Sequence, residues 1–384
     1  MRAWLLCLLC LACGEESAAG GPDGPGGADA SMAPRPDAAA HPDAATRPDA
    51  SIDASPDAAV YRFECDRPPP PGAPQPIPPP PYTGGMCPVL VAGNNTITST
   101  GHTRQFILVV PANLSSEEKL PVLVMWHWLG GSPSGFLDRG EVQQAADAQR
   151  FLAIIPYSEG AMLFGQYNLR WPFDITMTSD RMNEEHTFFD DMLACAEAQF
   201  NVNQNCVSTI GVSAGALYSD QLAQARSYRL SSFVSLSGGV GDTIIRPWSG
   251  SAHILPSIVL WGGDGPPRQD GIKDILGCFG IGMDFSVASH QLESNLTSEG
   301  HFFVECIHNC GHVEPPLTPP PGESKFAGIW GFVLNHPFWL APGDSPYLRT
   351  GLPPTLPQWC GIGAGSATPR SGSGCPQPEN PCAF

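Results

Sequence analysis

The stretch Gly211-Val212-Ser213-Ala214-Gly215 constrains this chain more than any other. A Gly-x-Ser-x-Gly pattern alone is weak, because so short a motif recurs by chance. Its surroundings give it force. Val207-Ser208-Thr209-Ile210 reads as a buried strand directly before it, and Ala214 to Arg226 as a helix-forming run directly after it. A strand, a tight turn and a helix are what it takes to lift a serine off the end of a sheet. Glycines on both sides let backbone segments pack where a Cβ would clash. The helix N-terminus sets backbone N–H groups beside Ser213, where an oxyanion could be held. The plainer reading is an ordinary strand-to-helix turn that happens to contain Gly and Ser.

Two further strand ends fit the same chemistry. Pro121 to Trp126 is an apolar run that closes on His127-Trp128-Leu129-Gly130-Gly131. This resembles the His-Gly-Gly loop of lipases and esterases, with Trp128 in place of the first Gly. Such a loop gives the second N–H of an oxyanion hole; Trp128 or Leu129 is expected to provide it, together with Ala214. Phe302 to Ile307 is another strand, followed by His308-Asn309-Cys310-Gly311-His312. A His on a loop after a late strand can reach the serine and take its proton. His312 is the favoured base, since Gly311 permits a sharp loop, and His308 is the decoy. The alternation of Cys306, His308, Cys310 and His312 also invites a zinc reading. Strand neighbours converge poorly on one tetrahedral ion, however, and exported cysteines oxidise. The acid that orients the base is sought after Pro256–Trp261, where Gly262-Gly263-Asp264 leaves a strand. Asp264 is favoured, Asp270 is the alternative, and Asp242 follows the preceding strand. The order Ser, Asp, His is that of α/β-hydrolases.

Between these motifs, β-rich apolar runs alternate with helix-like stretches, which predicts a mainly parallel central sheet with helices on both faces. Strands are expected at Phe106–Val110, Pro121–His127, Leu152–Pro156, Val207–Gly211, Ser232–Leu236, Ser257–Trp261 and Phe302–Ile307. Helices are expected at Gly140–Arg150, Phe188–Phe200, Ala214–Arg226, Val287–Glu299 and Phe326–Asn335. The folded domain is placed at 87–341, long enough for one core.

The flanks are of another kind. Residues 1–12 read as a short export signal, too short to span a bilayer. Cys10-Leu11-Ala12-Cys13-Gly14 resembles a bacterial lipobox, with lipid expected on Cys13; stable anchoring needs more than one acyl chain. Residues 13–86 read as a disordered linker of Ala, Pro, Asp and Gly, with Pro-Asp-Ala recurring and two four-proline runs. Such a segment buries too little apolar surface to offset its ordering entropy, and its proline runs favour stiff polyproline II. Residues 342–384 read as an irregular Pro/Gly/Cys-rich tail held by disulfides. Once Cys13 and the signal are set aside, ten cysteines remain, an even number that favours bridges in an exported protein. A Cys195–Cys206 bridge is expected across the turn between helix and strand.

Taken together, Gly-Val-Ser-Ala-Gly, the His127 strand end before Gly130-Gly131, Asp190-Asp191 opening a helix, Trp-Gly-Gly-Asp and Cys-Gly-His resemble the exported polyhydroxybutyrate depolymerase and feruloyl esterase group of α/β-hydrolases, over about Cys87 to Phe338. That resemblance implies an α/β-hydrolase fold and cleavage of carboxylic esters through an acyl-enzyme. It also implies Ser213, Asp264 and His312 as the catalytic set, with no metal or organic cofactor.

With 37 acidic and 19 basic side chains, a net charge of −18 argues against nucleic acid as the partner, because phosphate binding needs clustered cations. The expected partners are an ester substrate, which could be polymeric, and a cell-surface or outer-membrane lipid anchor through Cys13. A monomer is expected. Trp128, Phe164, Tyr167, Trp171 and Trp248 are candidates to line an aromatic cleft. The competing reading is an inactive surface-binding module that uses the same cleft.

Overall fold

The structure, a computed structural model, describes residues 61–263, 274–278 and 281–377. Cys13 and the expected signal lie outside the described residues, as do Asp264 and Asp270. In chain order the strands are β1 (Gly93–Ser99), β2 (His102–Val109), β3 (Leu120–Trp126), β4 (Leu152–Pro156), β5 (Met162–Leu163), β6 (Tyr167–Asn168), β7 (Val202–Val212), β8 (Ser232–Leu236), β9 (Ser257–Gly262), β10 (Ile275–Cys278), β11 (Ile281–Asp284), β12 (Phe303–His308) and β13 (Cys360–Ile362). The α-helices are α1 (Pro133–Arg139), α2 (Val142–Gln149), α3 (Ser179–Glu197), α4 (Ala214–Arg226), α5 (Phe285–Glu299), α6 (Ala327–Leu334) and α7 (Tyr347–Thr350).

The main sheet runs β1-β2-β4-β3-β7-β8-β9-β12-β13. From β4 to β12 every neighbouring pair is parallel, while β1–β2, β2–β4 and β12–β13 are antiparallel. Parallel strands between two helical layers are buried on both faces, and β3, β4, β8, β9 and β12 are accordingly buried at every residue rather than at alternate ones. One face packs Phe188, Leu193, Leu217, Phe285 and Leu292 from α3, α4 and α5. The other packs Phe136, Val142, Ala146, Ile329 and Phe332 from α1, α2 and α6. The expected layering is therefore present, and the chain has the α/β-hydrolase fold.

Several expectations need correction. The linker boundary at Cys87 falls too late. Cys65 is bridged to Cys206, the Ile77 N–H donates to Tyr228 O, and Asp191 accepts from the N–H and hydroxyl of Thr83. Residues 61–86 thus lie against the domain, held by contacts remote in sequence. The tail is also more ordered than an irregular wrap, since β13 extends the sheet at β12. The Cys195–Cys206 bridge does not form: Cys195 joins Cys87 and Cys206 joins Cys65. Successive residues of a strand point to opposite faces. Val207 packs in the same cluster as Cys195, so its neighbour Cys206 faces away from α3. The two bridges actually formed span 141 and 108 residues, and in the chain-entropy model each limits the unfolded state by about 5 kcal/mol. Asp190 and Asp191 do not open a helix. Both sit inside α3, where Asp190 accepts from Arg226 and Arg229.

Asp220 of α4 ties the helix to the sheet, accepting from the Ser235 hydroxyl and the Gly239 N–H at 2.8 and 2.7 Å. Burial pushes it up to about 7, against the downward pull of those two donors. The folded state thus keeps a proton that the unfolded chain releases near pH ~4. Stability should fall as pH rises from about 4 to about 7, then level off. Asp220→Asn should flatten that slope in thermal melts at pH 5, 6, 7 and 8. Parallel curves for the two proteins would refute the assignment.

Candidate active site

The central strand β7 delivers Ser213 to its carboxyl end, and α4 begins at the next residue. Ser213 has φ 55° and ψ −122°, a conformation that L residues rarely adopt and that marks functional turns. The turn is crowded enough to require both glycines. A Cβ on Gly211 would overlap the backbone of Gly215 and Ala216, and one on Gly215 would overlap the carbonyls of Trp126 and His127. The Ser213 N–H donates to Leu236 O at 2.9 Å, fixing the turn to β8. Ala214 is the first residue of α4, so its N–H is one of those a helix leaves without an internal acceptor.

Ser213 Oγ lies 2.8 Å from His312 Nε2. Nδ1 of the same ring lies 2.6 Å from an oxygen of Asp274. With the carboxylate accepting at Nδ1, Nε2 is left free to accept from the serine hydroxyl. The His312 ring stacks on Phe285 at a centroid distance of 4.2 Å, which sets its plane. The second Asp274 oxygen accepts from the Gly262 N–H at 2.7 Å and the Ser237 hydroxyl at 2.9 Å. Burial alone would raise the Asp274 carboxyl; the charge and bond of His312 and the Gly262 N–H outweigh it and hold the group below the usual carboxylate range.

The sequence reading of the acid is thereby revised. Its place just past β9 favours Asp264, yet both nitrogens of His312 are engaged, one by Ser213 and the other by Asp274. The chain leaves β9 and comes back to it: the Asp274 N–H donates to the carbonyl of Gly262, the last residue of the strand. Spacing from the strand end does not reveal such a return, and nothing in the residues around Asp274 advertises it. Asp242 serves a turn, accepting from Asp284 N–H and the Thr243 hydroxyl.

His308 is fully buried at the end of β12. Its Nδ1 accepts from Cys310 N–H, and burial pushes it down to about 4. It is a neutral buried residue, and the hydrogen bond to Ser213 Oγ is made by His312 instead. The zinc reading also fails, since Cys306 and Cys310 are spent in disulfides to Cys360 and Cys375.

His127 is buried, and that burial pushes it down to about 4. Its ring bonds Trp128 O and its carbonyl accepts from Trp171 Nε1 at 2.7 Å. Gly131 N–H closes the turn onto Trp128 O at 2.9 Å. The loop is thus braced at Trp128, whose ring faces the cleft, while the Leu129 side chain enters the core. Of the five aromatic candidates only Trp128 lines the cleft. Trp171 and Trp248 are buried, and Phe164 is exposed on the turn between β5 and β6.

The cleft over Ser213 and His312 holds about 340 Å³ and is walled chiefly by Trp128, Phe136, Val212, Leu236, Phe326 and Trp330. That is the size and apolar character of a small-molecule site. The guanidinium of Arg139 lies at its rim, 5.0 Å over the Trp128 ring.

No protein-family model and no curated protein matches the chain. Among solved structures, native pOPH superposes with a TM-score of 0.57 at 17% identity, over 75% of this chain and 99% of that one. Native sOPH superposes with the same score at 19% identity, over 73% and 97%. At these identities the likeness is one of fold.

Asp274→Asn should leave the fold intact and cut kcat by about 10⁴ if the carboxylate sets the His312 tautomer. Ester hydrolysis assays would show it, and His308→Gln should retain most activity. A reversed pair of results would move the base to His308.

Proposed function

We propose that this protein is a serine hydrolase of carboxylic esters. The observation that carries the reading is the continuous bond path from Ser213 through His312 to a buried, ionised Asp274, opening into an apolar cleft. Ser213 Oγ attacks the ester carbonyl carbon while its proton passes to His312 Nε2. The backbone N–H of Ala214, with that of Trp128 or Leu129, would hold the oxyanion, a contribution worth roughly 3–4 kcal/mol per donor in comparable sites. Asp274 stays ionised and steadies the imidazolium. Collapse of the tetrahedral intermediate breaks the ester C–O bond, and His312 returns its proton to the departing alcohol. Water then repeats the sequence on the acyl-enzyme and frees the acid. The walls of the cleft suit aryl or alkyl ester groups, such as those of phenolic acids or hydroxyalkanoates.

The competing reading is a surface-binding module that has lost catalysis. The hydrogen bond between Ser213 and His312 and the buried ionised partner favour the enzyme, since binding alone needs neither. A fluorophosphonate should label Ser213 and block hydrolysis of p-nitrophenyl butyrate, and Ser213→Ala should abolish both. A folded wild type that neither labels nor hydrolyses would establish the binder instead.

Export is part of the same proposal. Four disulfides hold the described residues, and bridges of this kind persist in oxidising compartments. No helix among the described residues is long and apolar enough to cross a membrane. The proposed anchor is lipid on Cys13 of the lipobox-like Cys10–Gly14 stretch. An alkyne fatty acid fed to expressing bacteria should label the full-length chain and not Cys13→Ser; equal labelling of both would exclude the lipobox assignment.

A further inference from the structure

The last part of the chain is fastened to the very segment that carries His312. Cys360 of β13 is bridged to Cys306 of β12, and Cys375 to Cys310, two residues before His312. Between the bridges Arg370 acts as a clasp. Its backbone N–H donates to Ile307 O at 2.9 Å. Its guanidinium donates to Asn309 Oδ1 and to the carbonyls of Gly372 and Ser373 at 2.6, 2.8 and 2.7 Å. Asn309 in turn donates its side-chain N–H to Gly372 O at 2.9 Å. Extending the sheet needs none of this, since β13 ends at Ile362. What the second bridge and the clasp achieve is to carry Pro376 and Gln377 into the wall of the cleft that Ser213 and His312 also line.

We propose that Pro376 and Gln377 are specificity-determining residues. They close one side of the cleft and limit the ester group it admits to a compact ring or short chain. The inference rests on the ester-hydrolase reading. Other parts of the wall are rings set in the core: Phe136, Phe326 and Trp330 are all buried. They cannot yield to a larger group without repacking the interior. The tail wall rests on the surface and is held by one bridge and a few hydrogen bonds, so it is the boundary that sets the size limit. At about 340 Å³ the cleft is near the small end of ligand sites, where removing even two side chains changes what fits.

The test uses full-length protein and p-nitrophenyl acetate, butyrate and decanoate. Pro376→Gly with Gln377→Ala should raise the decanoate-to-acetate ratio of kcat/KM by about tenfold, the scale on which a few methylenes discriminate in an apolar pocket. Cys310→Ser with Cys375→Ser, which frees the tail without touching those side chains, should shift the ratio in the same direction. An active wild type whose ratio is unchanged in the Pro376/Gln377 variant overturns the role of the tail alone. Equal loss on all three esters in the bridge variant, with the other variant silent, also overturns it, because the tail would then only position His312. A wild type inactive on every ester overturns the hydrolase reading and this one with it.

Discussion

The buried carboxylate of Asp274 is the fixed point of the site. An ionised carboxylate removed from water is costly unless its oxygens are paired. Here His312, the Gly262 N–H and the Ser237 hydroxyl pair them. Those donors come from β9, from the loop after β8 and from the loop after β12. One charge therefore gathers three strand ends that are far apart in sequence. The arrangement also answers a problem of distance. β12 lies three strands from β7, roughly 14 Å at the usual strand spacing. His312 must cross that gap on a loop, and Asp274, over the strands between, holds it at the far side.

The serine depends on a different constraint, which is crowding. Between β3, β7 and α4 there is no room for a Cβ at Gly211 or Gly215. Backbone packed so closely keeps Ser213 in a φ/ψ region it would otherwise leave. Behind it Trp126 is wholly buried, with Tyr218 and Trp171 edge-on at 4.7 and 5.1 Å and its indole N–H on Thr209. Trp171 reaches on to His127 O. The strained turn and the His127–Gly131 loop thus share one rigid support, which keeps the Ala214 amide and the cleft face of Trp128 in register with the serine.

The disulfides repeat this theme at the periphery. Two fasten the segment before β1 to α3 and β7, and two fasten the tail to the region between Cys306 and His312. None of these four joins neighbours in the chain. Each draws a sequence-remote, proline-rich segment onto the domain, where local propensity would leave it extended. This is how residues 61–86 come to read as linker yet pack as part of the fold.

The fold class, and the serine and histidine that the structure brings together, are legible because each is written locally. The strand-turn-helix around Ser213, the glycine before His312 and the apolar runs of the parallel strands are all properties of short windows. Helix and strand boundaries were less legible: α3 starts at Ser179, well before the expected Phe188, because its first turns are polar and show no apolar face. The acid could not be read at all. Asp264, Asp270, Asp242 and Asp274 are alike as residue types, and only the bond from the Asp274 N–H back to Gly262 O distinguishes Asp274. Bridge partners and the placing of Pro376 and Gln377 in the cleft wall belong to the same class. Short windows of sequence set which chemistry was available and on what kind of scaffold, because periodicity and turn geometry act within a few residues. Which carboxylate, which cysteines and which part of the tail meet the serine was decided by tertiary structure, because those pairings are set by where loops close in space.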